Sequence, residues 1–295
     1  MATPGFTALP STEHFTFEFN DLLNVAASTA LGKALADTAE RDYNTMTFWF
    51  SGAEPQGGPI LTKINQGSGG ASNDNLNNIN LRLGATSDFD AARFTLVAEV
   101  MEIFMATNKF GWKPGDSSGE GLSQLGAFTL YPSQIDSLNG PQVWLDTSVG
   151  STPDKPSRPN FVSKPEPFDG NFVSFGCALL FLYNLRTQLG FSMKATISAH
   201  AGSLEDVYFN LTKDRTGLQE FTDTLAAKFP PGVPCDLVGS RDPFPLPTDR
   251  VLSARRFMAN SETDPAGLGL MIRANRELGN LRALLNSNRP VSRIR

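Results

Sequence analysis

Phe89–Leu130 reads FDAARFTLVAEVMEIFMATNKFGWKPGDSSGEGLSQLGAFTL, and its reading decides the fold of this chain. Asp88 stands just before it as a helix cap. A long apolar helix follows, carrying Ala98-Glu99-Val100-Met101-Glu102. A loop then leads to a second helix that opens on Gly119-Glu120-Gly121-Leu122-Ser123. Glu99 and Glu102 are three apart, so a helix sets them on adjacent parts of one face.

Upstream of these helices the pattern alternates between strand and helix. His14-Phe15-Thr16-Phe17-Glu18-Phe19 has a strict period of two, which predicts a half-buried strand. From Leu22 to Ala39 the apolar residues recur at helical spacing, with Asp21 near the start. TMTFWF at 45–50, PILTKIN at 59–65 and NNINLRL at 77–83 read as three further strands. The Gly/Ser/Asn-rich QGSGGASNDN between 66 and 75 reads as a loop. Its glycines do not sit between a strand and a helix, as a phosphate loop requires.

Downstream, residues 131–170 are rich in Pro and Asp and read as a surface connection. Helices are expected over 171–189, 192–201, 204–211 and 218–229, with one more around 268–285. The expected class is α+β: a small mixed sheet with the motif helices in the N-terminal half, and a mostly α-helical C-terminal half. The expected units are an α+β subdomain over 1–150, a helical subdomain over 151–235 and a Pro/Arg-rich extension over 236–295.

The chain has 295 residues, 40% of them apolar and 19% charged, enough for a sizeable core. A net charge of −5 hides an asymmetry: nine Arg, no Lys and three acidic residues from Arg250 onward carry +6, leaving −11 on the rest. Such an arm suits the protein's own acidic surface, a protein partner or self-association. Arginines without interleaved stacking aromatics argue against nucleic acid. No run of 18 uncharged apolar residues occurs, so no membrane span is expected. MATPGFTALPSTEH lacks a basic region followed by an apolar one, which points to a cytoplasmic or otherwise non-Sec-exported protein. With only Cys177 and Cys235 there is no disulfide framework, and Cys177 in an apolar helix reads as a buried thiol. Ser123 is not in a nucleophile elbow and has no histidine to activate it. Trp49, Trp112 and Trp144 read as packing before they read as a sugar or peptide cleft.

The order of elements, with AEVME on one helix and GEGLSQL on the next, resembles a zincin of the gluzincin type. FGCALLFLYNLRTQLGF followed by LEDVYFNLTKDRTGLQEFTDTLAAKFP is similar to the C-terminal half of plant basic secretory proteins and related zincin-like peptidases. The resemblance covers roughly 45–230. It implies that Ala98 stands at the first histidine ligand, Glu99 at the general base, Glu102 at the second histidine and Glu120 at the third ligand. The only histidines, His14 and His200, restore no i, i+4 pair. A peptidase zinc needs three protein ligands with nitrogen prominent, so zinc chemistry is not expected.

The resemblance therefore implies a catalytically degenerate scaffold, a pseudo-peptidase acting in binding or assembly, with no cofactor expected. Glu99, Glu102 and Glu120 at one point would repel unless something neutralises them. A hard cation (Ca, Mg or Mn) on all three is one answer. A hydrolase using Glu99 as base together with Glu120 is a second, and a structural cluster satisfied by Arg93, Lys109, Ser117 or Ser118 a third. A further reading makes the chain a subunit of a homo-oligomer held by its Arg-rich arm.

Overall fold

The structure, a computed structural model, describes residues 3–67, 70–83, 88–107, 110–132, 134, 139–149, 158–200 and 202–237. It opens with strands β1 (Phe6–Ala8) and β2 (Phe15–Asn20) and helix α1 (Val25–Trp49). Strands β3 (Ile60–Gln66), β4 (Ala71–Asn73) and β5 (Asn78–Leu83) follow. They join in one five-stranded sheet of order β1-β2-β3-β5-β4. The three central strands run parallel, and β1 and β4 lie antiparallel at the two edges. This is the mixed sheet of an α+β protein. Alternation decides its faces: Phe15, Phe17 and Phe19 on β2, Ile60 and Ile64 on β3, and Ile79, Leu81 and Leu83 on β5 are buried.

TMTFWF is not a strand, as its aromatic and β-branched content had suggested. It is the last part of the 25-residue helix α1. Tyr43, Met46, Trp49 and Phe50 are buried at intervals of three or one, a helical spacing, so packing overrides local strand preference. The Gly-rich 66–75 segment likewise contains the short edge strand β4, which pairs Ala71–Asn73 with Ile79–Leu81.

Helix α2 (Phe89–Thr107) packs on α1, β4 and β5, and α3 (Ser117–Leu130) packs on α2. Asp116 caps α3, accepting from Ser118 N at 3.0 Å and Gly119 N at 2.8 Å. The connection after α3 includes a helix that was not expected, α4 (Asn139–Asp146). Then come α5 (Phe172–Thr187), α6 (Met193–Ser198), α7 (Leu204–Thr212) and α8 (Gly217–Lys228). All four lie where their periodicity placed them, and Asn171, Ser192 and Ser203 cap the first three.

Helix α5 is the hub of the second half, packed on α3 and α4. Two glycines allow that approach. A Cβ on Gly121 would lie 2.9 Å from Leu179 N, and one on Gly176 would lie 2.1 Å from the Gly140 carbonyl oxygen. The resulting core runs continuously from Phe15 on β2 to Leu225 on α8. Trp49, Trp112 and Trp144 all belong to it. Cys177 is buried, Cys235 is partly buried, and both are free thiols. Among the described residues no helix is long and apolar enough to cross a membrane. The expected helix at 268–285 and the Arg-rich arm lie outside the described residues.

Candidate functional site

Helix α2 is buried around most of its circumference, including Phe94, Val97, Ala98, Met101, Phe104 and Met105. The stripe left open is Thr95, Glu99 and Glu102, at i, i+4 and i+7. On α3 the open stripe is Glu120 and Gln124, at i and i+4. The two stripes face one cleft of about 680 Å³. The three glutamates predicted from sequence are thus brought together, with Ala98 lining the cleft beside them.

Their hydrogen-bond partners are not the expected ones. Asn73 Nδ2 donates to Glu99 Oε2 at 2.8 Å and to Glu102 Oε2 at 2.7 Å, one proton for each. Gln124 Nε2 donates to Glu120 Oε1 at 2.9 Å. Ser123 Oγ lies 2.9 Å from the Glu120 carbonyl oxygen and 3.4 Å from Glu102 Oε1, and so is a structural donor. Arg93 turns away to the Ala34 carbonyl and Asp90. Ser117 Oγ accepts from Glu166 N. Lys109 lies outside the described residues.

Burial dominates the electrostatics. Loss of water pushes Glu99 up to about 7, partly offset by the Asn73 bond and aggravated by the Glu120 and Asp169 charges. Glu102 is pushed up to about 10, by burial first and then by the charges of Glu120 and Glu99. Glu120 is raised by burial as well. Glu102 and Glu120 hydrogen-bond each other through their side chains. Two carboxyl groups can do so only if a proton lies between them, so the pair titrates as a unit. At neutral pH it holds a proton while Glu99 is poised near half-ionisation.

The remaining walls were not foreseen. Asp169 adds a fourth carboxylate, and Arg82, beside Glu99, is the cation of the lining. Phe94, Phe172 and Phe175 supply aromatic surface. Phe172 is 55% exposed and its ring centroid lies 5.2 Å from that of Phe175. Gln124 was within reach of sequence reasoning, four residues after Glu120 on a helix. Asn73 was not, since only the pairing of β4 with β5 brings it to α2.

As a metal cage the three glutamates are not compact. Among the described residues, the group of three His, Cys, Asp or Glu side chains whose ligand atoms all lie within 4.8 Å of one another is Glu13, His14 and Glu40, away from the cleft. There His14 Nδ1 contacts Glu40 Oε2 at 2.7 Å, and the imidazole stacks on Tyr43. This contact lies at the entry to β2, and the 26-residue separation of His14 from Glu40 kept it out of reach of sequence reasoning. His200 packs on Trp112 with the rings tilted and their centroids 4.4 Å apart, and burial lowers its pKa. Asp214 makes a turn, accepting from Thr216 N at 3.0 Å. Cys177 is pushed up to about 12 by complete burial, which leaves it inert at neutral pH. Comparison with models of known protein families, with curated proteins and with solved structures found no match.

Proposed function

We propose that this protein is a zincin-like scaffold without peptidase chemistry, whose carboxylate-lined cleft serves binding. The supporting observation is the convergence of Glu99, Glu102, Glu120 and Asp169 on one cleft wall with a methyl group, Ala98, beside Glu99. Three of these acids are already satisfied by Asn73, Gln124 and a shared proton. No imidazole lines the cleft, and a peptidase zinc needs one. Burial, hydrogen bonding and an open volume favour a preformed receptor site.

The test is a peptide-library digest with and without added divalent metals, read by mass spectrometry. No cleavage is expected under any condition. Cleavage that disappears in Glu99→Gln would sink the binding-only reading. One observation favours a second reading, a hydrolase using Glu99 and Glu120. Glu99, at about 7, sits where a general base works best near neutral pH. That alternative demands the same Glu99→Gln loss of turnover, with stability little changed.

A further inference from the structure

The cleft joins two kinds of surface, carboxyl groups and aromatic rings. Among the described residues its lining carries Glu99, Glu102, Glu120 and Asp169 against one cation, Arg82. Arg82 is itself partly engaged, donating from Nη2 to the Ala71 carbonyl at 3.2 Å. Phe172 and Phe175 line it too, Phe175 buried and Phe172 leaving 55% of its surface to water. A half-exposed aromatic ring lining a concave site gives an apolar body a surface to cover. Rings of this kind also attract cations held over their faces.

A bare metal ion does not use these features. It has no apolar body, and the three glutamates are not among the described groups whose ligand atoms all lie within 4.8 Å of one another. A volume of about 680 Å³ is also far larger than an ion needs. An anion would meet like charge, and a neutral sugar would offer the carboxyl groups no partner of opposite sign.

We infer that the cleft receives an organic cation, an ammonium or guanidinium head on an apolar stem, with the head among Glu99, Glu102, Glu120 and Asp169 and the stem against Phe172 and Phe175. This rests on the reading of the cleft as a binding site. The head replaces the protons that the crowded acids otherwise hold, and the stem covers the exposed ring. Two sources share this chemistry: a free alkyl diamine, or a lysine or arginine side chain of a polypeptide.

Calorimetric titration of the full-length protein at about pH 8 tests it. The probes are a blocked arginyl tripeptide, the same tripeptide with neutral citrulline in place of arginine, and diaminopentane. The arginyl peptide is expected to bind at least ~10-fold tighter than its citrulline twin, since a charge-assisted pair outweighs a neutral one. Glu99→Gln should weaken it by roughly fivefold or more, and Phe172→Ala by about threefold. Phe172 is exposed, and Glu99→Gln removes a charge from a crowded cluster, so both variants should fold. Circular dichroism checks that they do. Binding of diaminopentane at equal strength assigns the site to free amines, and binding of the peptide alone assigns it to a side chain. Equal affinity for the citrulline peptide overturns the cation while leaving a binding cleft. Failure of both cations to saturate also overturns it. Cleavage of either peptide, followed by mass spectrometry in the same samples, would instead count against the binding-only reading.

Discussion

Asn73 is the residue on which the acid cluster turns. Its single amide nitrogen serves both Glu99 and Glu102, and no other described side chain donates to Glu99. Asn73→Ala should cost about 1–3 kcal/mol, because two buried acceptors lose their donor. Asn73→Asp should cost more, since it sets another carboxylate against two that are already crowded. Urea melts of the two variants check the order, and equal stability of Asn73→Asp and the parent would refute the role given to the amide. The cysteines offer a second test at this scale. Cys177 and Cys235 are both pushed well above an ordinary thiol, to about 12 and about 11, by burial first. A chromogenic thiol reagent should label neither quickly in the native protein and both in urea. Rapid native labelling of Cys177 would contradict its place in the core.

At the scale of elements, α3 is placed by what it lacks. Gly121, next to Glu120 in the chain, lets it approach α5. Gly→Ala inside a helix ordinarily stabilises by about 1 kcal/mol. Here the new methyl would sit 2.9 Å from both Ala178 Cβ and Leu179 N, one of them main chain that cannot yield. Gly121→Ala should therefore be net destabilising by ~1–3 kcal/mol, the cost of overpacking. Denaturant titration decides the sign, and a gain in stability would show that the helices separate without strain. Apart from α4, the helices were legible in sequence, because their apolar spacing is local. Two of the misread elements share one physical reason. TMTFWF has strand composition but a helical burial pattern, and β4 has loop composition but gains a partner in β5. In each case a non-local contact outweighed local preference.

For the whole molecule, the cluster predicts an unusual dependence of stability on pH. Glu102 titrates at about 10 in the folded state against an ordinary 4.5, so the folded protein holds a proton that the unfolded chain has released. Its contribution is complete below about pH 4.5 and is lost as pH rises toward 10, at up to ~1.4 kcal/mol per pH unit. His200, lowered by burial, works in the opposite direction but only up to about pH 6.5. Glu40 and Asp74, both lowered by hydrogen bonds that outweigh desolvation, matter only in acid. Between about pH 7 and 8.5 the slope therefore reports the acid cluster. The melting temperature should fall across that window. Glu102→Gln, which resembles the protonated acid, should flatten the fall. A parent protein with constant stability from about pH 7 to 8.5 would mean that the acids are wetter than their burial suggests.

What the sequence by itself determined is the local half of this protein. It carried the α+β class, most of the helices, the alternating strands, and the placement of Glu99, Glu102 and Glu120 on two successive helices. It also carried the lack of a histidine pair, which no fold can supply. Only the tertiary structure decided that the three glutamates meet, that Asn73 and Gln124 rather than Arg93 or Ser118 satisfy them, and that Asp169 and Phe172 complete the wall. Periodicity and capping act over a few residues and can be read along the chain. The depth of a carboxylate, and hence its protonation, depends on elements that are brought together only when the core closes.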